Sequence, residues 1–353
     1  MGLRRRLKQA GAAALFGVMG LMALGGSIGW WISAPGHTGP VSDHFDGSAF
    51  HNLEPTELPS FARAMRMVRE GRGATWEARA YATQPPPPPR VRGTAMRATF
   101  VNHSTVLVQH DGMNVLTDPI WSDRCSKVQW LGPQRHHAPG VALSDLPTVD
   151  VVLISHNHYD HLDEGTLRAL AERDDPVIVV PLGVGAMAKG LGFSQVHELD
   201  WEQSTQIGHL TVTGQRVRHF SGRGLFDRNQ TLWLGFVVEG DAGRWYFAGD
   251  TGDGDHFQAT GDAHGPFRLA LLPIGAYAPR WFMAPVHIDP VQAVSAHQRL
   301  RAERSLGVHH GTFQLTKEPQ DEPRELLGTA LQDAGLEPWR FLAPRPGEAL
   351  HLP

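Results

Sequence analysis

From Met96 onward the chain reads as short apolar or alternating runs divided by polar breaks: MRATFVNH, STVLVQHDG, MNVLTDP, VDVVLIS, PVIVVP, LTVTGQRVRHF, TLWLGFVVEG, RWYFAGD and LALLPIG. Runs of roughly four to eight residues rich in Val, Ile, Thr and aromatics are strand signals. DGMN and EGDAGR fall between such runs and supply hairpin turns. DEGTLRALAERD and DPVQAVSAHQRLRAE read as helices, the second opened by Asp289 as N-cap with Pro290 in the first turn. Strand runs outnumber helices, and the helices recur at intervals. Two sheets sandwiched between helices fit this better than a strict βαβ wind, so the expected class is α/β (α+β).

Upstream the pattern changes. Residues 36–90 are mixed, with a helix expected around PSFARAMRMVREG, and they end in QPPPPPR. Five consecutive prolines force polyproline II, so Pro85 to Pro89 form a stiff spacer or a strap lying on the domain surface. The division expected is a segment over 1–35, an extension over 36–90 and a compact domain over 91–353. The first segment opens MGLRRRLKQ and runs from Ala10 to Ile32 without a charged residue. At 1.5 Å per residue, about 20 helical residues span a bilayer core, so this run is long enough for a transmembrane helix.

An uncleaved anchor is the first reading of it. The run is long for a signal peptide, Trp30 and Trp31 suit the membrane interface, and Pro35 follows the small-residue site at Ser33 and Ala34. A cleaved signal is the alternative. Arg4, Arg5, Arg6 and Lys8 precede the run and no Lys or Arg follows until Arg63, so the remaining chain is expected across the membrane. In a bacterium that is the periplasm, either anchored to the inner membrane or released after cleavage. Gly25 and Gly29 stand at GxxxG spacing, which lets two copies pair as a homodimer.

A formal charge of −4 gives no field for gathering nucleic acid, which is excluded as a partner. The single cysteine, Cys125, rules out an intramolecular disulfide and a thiolate metal site, and reads as a packed small residue. Any metal must be held by imidazole and carboxylate.

Residues 155–163, SHNHYDHLD, follow the strand run VDVVLI and offer that set. A loop leaving a strand with this spacing turns His156 and His158 onto one cation while Asp160 and His161 face a second. Ligands without sulfur suit zinc, with iron or manganese as alternatives. The missing ligands are expected at later strand ends: His219 in RVRHFSGRG, Asp250 in RWYFAGDTGDGD, and His309 or His310 in SLGVHHGTF.

These motifs, in this order, resemble the metallo-β-lactamase fold superfamily. VNHSTVLVQ, LTDPIWS, ISHNHYDHLD, FAGDTG, LPIGAYAPRWFM, HIDPVQAV and HHGTF are similar to the N-acylphosphatidylethanolamine-hydrolysing phospholipase D family and its bacterial relatives, over residues 60 to 350. The resemblance implies a four-layer αββα sandwich holding two zinc ions. It assigns His156, His158 and His219 to the first, Asp160, His161 and His309 to the second, and Asp250 to both. His309 is chosen over His310 because the family pattern HWGTF puts the ligand first, and here His310 stands in the Trp position.

Two such ions about 3.5–4 Å apart would hold a water and lower its pKa toward 7 for in-line attack on a phosphodiester. Asp160 doubles as orienter of that nucleophile. His287, just before the helix opened by Asp289, is the expected donor to a leaving or anionic oxygen, aided by helix-terminal amides. His103 is expected behind the site. Tyr277, Trp281, Phe282 and Met283 are expected to line an opening for acyl chains.

The function expected is a zinc-dependent hydrolase cleaving N-acylphosphatidylethanolamine to N-acylethanolamine and phosphatidic acid. A lactone, ester or β-lactam hydrolase is the alternative, and a non-catalytic membrane-tethered binding protein the second alternative.

Overall fold

The computed structural model describes residues 29, 32–56, 60–71 and 73–353. The apolar run of residues 10–32 lies outside them except for Gly29 and Ile32, and among the described residues no helix is long and apolar enough to cross a membrane.

Two seven-stranded sheets pack face to face. The first contains β1 (Met96–Asn102), β2 (Thr105–His110), β3 (Met113–Thr117), β4 (Val151–Leu153), β5 (Val177–Pro181), β6 (Val196–Leu199) and β14 (Ala349–Leu352), in the order β14-β1-β2-β3-β4-β5-β6. The second contains β7 (Ser204–Ile207), β8 (Leu210–Gln215), β9 (Gly235–Gly240), β10 (Gly243–Phe247), β11 (Phe267–Pro273), β12 (Ala302–Val308) and β13 (Phe341–Leu342), in the order β13-β12-β11-β10-β9-β8-β7. Each sheet pairs four strands antiparallel and continues in parallel, from β3 to β6 and from β10 to β13. The DGMN turn joins β2 to β3 with Asp111 and Gly112 both at positive φ (52° and 75°), as a tight hairpin of matching twist requires.

Three apolar clusters separate four layers. Between the sheets lie the inward residues of both, including Phe100, Val108, Leu153, Phe236, Trp245 and Leu271. Helices α2 (Glu164–Asp174) and α3 (Gly185–Gly190) cover the outside of the first sheet through Leu167, Leu170 and Ala188. Helices α4 (His256–His264), α6 (Pro290–Arg299) and α7 (Glu322–Asp333) cover the second through Phe257, Val294, Leu327 and Leu331. Strand β4 is therefore buried on both faces, which is why its sequence is uninterrupted apolar instead of alternating.

The extension over 36–90 is less separate than its sequence implies. Phe45 and Phe50 belong to the core between the sheets, so the packed unit begins well before residue 91. The proline run is a strap on the surface: Gln109 Nε2 donates to the Pro88 carbonyl (2.7 Å) and Asn114 Nδ2 to that of Pro89 (3.0 Å). Helix α1 (Phe61–Arg69) rests against the short helix α5 (Arg280–Met283), where the Arg66 guanidinium stacks 4.1 Å above the Trp281 ring.

Candidate metal centre

The carboxyl ends of the central strands converge at one rim, as in open α/β sheets generally. The β4 strand releases the loop bearing His156, His158, Asp160 and His161, and Asp163 at its end caps α2 by accepting from Gly165 N. His309 directly follows β12 and Asp250 lies three residues beyond β10. Gly249, at φ +57°, is needed here, because a Cβ would stand 2.5 Å from the Ser155 Cβ. His219 is less simply placed than expected: β8 ends at Gln215, and residues 216–219 form a loop pinned by Arg218 N to Thr251 Oγ1 (3.0 Å) and His219 N to Asn52 Oδ1 (3.3 Å).

The side chains meet in overlapping sets. His156 Nε2 and His219 Nε2 lie 2.7 and 3.4 Å from His158 Nδ1. Asp160 Oδ2 lies 3.3 Å from both His161 Nε2 and His309 Nε2. Asp250 Oδ2 stands between, at 3.1 Å from His161, 3.2 Å from His309, 3.8 Å from His219 and 4.0 Å from His156.

The outer nitrogens of three histidines are already committed. His161 Nδ1 faces Asp118 Oδ2 at 2.6 Å, His219 Nδ1 the Val286 carbonyl at 3.0 Å, and His156 Nδ1 the Ser155 hydroxyl at 2.9 Å. A ring that donates its Nδ1–H outward presents Nε2 to the centre as a ligand atom. His161 Nε2 and Asp250 Oδ1 are buried there without a hydrogen-bond partner. Imidazole nitrogens and carboxylate oxygens converging at these distances, with no thiolate among them, fit divalent cations that would displace the protons these groups otherwise share.

The electrostatics agree. Burial raises Asp250, but His161, His309 and His287 outweigh it and hold the carboxyl well below its usual range. Asp160 is likewise held low against burial by His161 and His103. Burial lowers His309, yet Asp250 and Asp160 bring it up to about 9.

His309 and His310 part company at this rim. His309, at φ +60°, turns into the cluster, whereas His310 stacks on Phe100 with ring centroids 5.4 Å apart and planes 2° apart. His310 joins none of the metal-compatible groups among the described residues. His287 is buried beside the cluster, with Nε2 3.9 Å from Asp250. The amides expected to assist it are not free. Asp289 and Gln292 form a reciprocal capping box that occupies the Gln292 and Asp289 N–H groups. His103 approaches more closely than a residue behind the site would, with Nε2 2.9 Å from Asp160 Oδ2.

The half-buried turn formed by Trp281, Phe282 and Met283 leads directly into the centre, since its continuation supplies both His287 and the Val286 carbonyl that holds His219. Tyr277 is placed differently from expectation. It is only 4% exposed and its hydroxyl donates to Glu322 (2.7 Å), so it packs against α7 instead of lining an opening.

Two contributors escaped the sequence reading. Asp118, fully buried at the end of β3, accepts from His161, from Ser155 N (2.7 Å) and from Ser155 Oγ (2.6 Å). Its signal was the aspartate in LTDP, a charge directly after a buried strand. Asn52, which donates to the His219 carbonyl (2.9 Å), carries no such signal.

Similarity to known proteins points the same way. The family model described as beta-lactamase superfamily domain matches residues 113–310. The uncharacterized protein Rv0906 of Mycobacterium tuberculosis is 44% identical over 306 residues, covering 82% of this chain and 80% of its own. N-acyl-phosphatidylethanolamine-hydrolyzing phospholipase D 1 of Caenorhabditis elegans is 40% identical over 246 residues, covering 65% of this chain and 69% of its own. Among solved structures, the metallo hydrolase Igni18 of Ignicoccus hospitalis shares the fold, with TM-score 0.56 and 23% identity over 73% of this chain and 99% of that one.

Proposed function

The chain belongs to the β-lactamase superfamily domain family, and from that premise we propose that this metal-dependent hydrolase is a zinc phosphodiesterase of phospholipase D type acting on N-acylated phosphatidylethanolamine. The observation that carries the substrate choice is the aromatic turn at Trp281–Phe282–Met283, joined without a break to His287 and to the carbonyl that orients His219. An apolar surface abutting a cationic centre suits a phosphodiester that bears acyl chains. The C. elegans relative's activity, as its name states it, supports the same class.

In this reading His156, His158 and His219 hold one ion, Asp160, His161 and His309 a second, and Asp250 stands between both. Bound metal supplies Lewis acidity toward water and the phosphoryl oxygens. The protein supplies position and proton handling. Asp160 keeps Oδ2 toward His103, His161 and His309, and its other oxygen is left to accept a proton from the attacking water. Burial keeps His287 well below its ordinary pKa, so it is a neutral imidazole that offers one N–H to the leaving oxygen.

The anchor expected over residues 10–32 would keep this rim at its lipid, with the domain in the periplasm; protease accessibility in spheroplasts tests that placement. A panel of N-acylphosphatidylethanolamine, a lactone and a chromogenic β-lactam, with and without chelator, tests the activity. Chelator-sensitive release of N-acylethanolamine is expected. Turnover of the lactone or β-lactam alone would replace the phosphodiesterase reading with the ester-hydrolase one, and chelator-insensitive behaviour throughout would favour a binding protein.

A further inference from the structure

A cavity lies away from the metal cluster, where the edge strands β14 and β13 leave the sandwich open. Its volume is about 720 Å³, within the roughly 300–1,000 Å³ that small-molecule sites occupy. Apolar lining comes from Leu327 and Leu331 of α7, Phe341 of β13 and Leu350 of β14, which are 1–6% exposed. Two guanidinium groups, Arg97 and Arg324, also line it.

Arg97 has no acidic partner, and Arg324 shares the charge of Asp321 with Arg79. Arg97 Nε is buried with no hydrogen-bond partner, and Nη1 reaches only Gln109 Oε1, at 3.5 Å. The Arg324 guanidinium makes no close ion pair among the described residues and acts on Asp321 only at longer range. The neighbouring Asp321 is already taken by both terminal nitrogens of Arg79, each at 2.6 Å. Glu348, the acid that lines the cavity, is exposed and caps its own loop by accepting from Arg345 N (2.8 Å). A partly buried arginine without a counter-charge is costly, and an anion brought by a ligand removes that cost through charge-assisted hydrogen bonds.

We propose that this cavity binds a long-chain carboxylate, with its head group at Arg97 and Arg324 and its chain against Leu327, Leu331, Phe341 and Leu350. The inference rests on the fold alone and stands independently of the reaction at the metal centre.

Gly328 gives a clean way to block the site. It lines the cavity from α7, and a Cβ built there meets nothing within 4 Å. Displacement of a fluorescent fatty acid by oleate, read on the full metal-loaded chain, is the measurement, with oleyl alcohol and acetate as comparison ligands. Oleate is expected to bind one per chain. The double variant Arg97→Gln/Arg324→Gln should weaken oleate at least tenfold and leave oleyl alcohol unchanged. Gly328→Trp should abolish binding of both while melting temperature and hydrolysis stay at wild-type values. Acetate should not compete.

Three results would overturn the proposal: no saturable binding below the micelle concentration of oleate, oleate affinity untouched by Gly328→Trp, or equal weakening of acid and alcohol in the arginine double variant. Loss of hydrolysis with retained oleate binding would leave this site standing and remove the phosphodiesterase reading instead.

Discussion

Replacing Asp118 with Asn should disable one half of the metal centre without touching a ligand. Asp118 accepts three hydrogen bonds, from His161 Nδ1 (2.6 Å), Ser155 N (2.7 Å) and Ser155 Oγ (2.6 Å). Burial raises its carboxyl, and His161 and Ser155 counter that. An asparagine of the same shape keeps one accepting oxygen and presents an NH₂ on the other side. If that NH₂ faces His161, Nδ1 must accept, and the ring proton moves to Nε2. The Nε2 that would ligate between Asp160 and Asp250 then carries a fixed proton. Outer partners of metal-bound histidines typically account for 10–100-fold in metal affinity, or about 1.4–2.7 kcal/mol. Metal content per chain, with affinities from chelator competition, is the assay. The ion at Asp160, His161 and His309 should weaken by that factor, while the one at His156, His158 and His219 stays. Asp118→Asn with both affinities and turnover within twofold of wild type, in a protein that melts normally, would refute the tautomer argument.

Three further outcomes follow from the geometry. His309→Ala should lose metal and activity, whereas His310→Phe, which keeps the ring against Phe100, should retain both; comparable metal loss in the two would contradict the division seen at the β12 end. Trp281→Ala should raise KM for long-chain substrate several-fold and leave kcat on a short-chain phosphodiester unchanged; equal effects on both would place Trp281 in packing only. His256 is pushed down to about 3 by burial and then by Arg216, Arg299 and Arg218, so it is neutral in the folded chain. The unfolded state gains a proton as pH falls below its ordinary value of about 6.5. Stability is therefore full above that pH and lost progressively down to the folded value, by up to roughly 5 kcal/mol. His256→Gln should flatten the acid limb of melting temperature against pH between about 6.5 and 3, and parallel curves would contradict this.

The centre was legible wherever a ligand follows a strand whose apolar run is unbroken. VDVVLI before His156, RWYF before Asp250 and SLGV before His309 all announce a buried strand that ends in chemistry. His219 was legible as a ligand candidate but not in its setting: RVRH alternates like a strand, yet those residues are held by Thr251 and Asn52 and not by a ladder. Asn52 was opaque because its partner His219 lies 167 residues away, and Phe45 and Phe50 because the core they join is built from strands that begin only at Met96. The two-residue strand β13 and the partly exposed β6 and β7 are too short or too polar for periodicity to reveal. His103 lies beside the cluster, but its contact with Asp160 depends on a β1–β2 turn at φ +43° that no spacing predicts.

The most direct test of the central claim is hydrolysis of N-acylphosphatidylethanolamine by the metal-loaded protein in H₂¹⁸O, with both products analysed by mass spectrometry. Attack of water on phosphorus predicts one ¹⁸O in phosphatidic acid and none in N-acylethanolamine. Label in a released fatty acid, or phosphodiester left intact while an ester or lactone is cleaved, would contradict it.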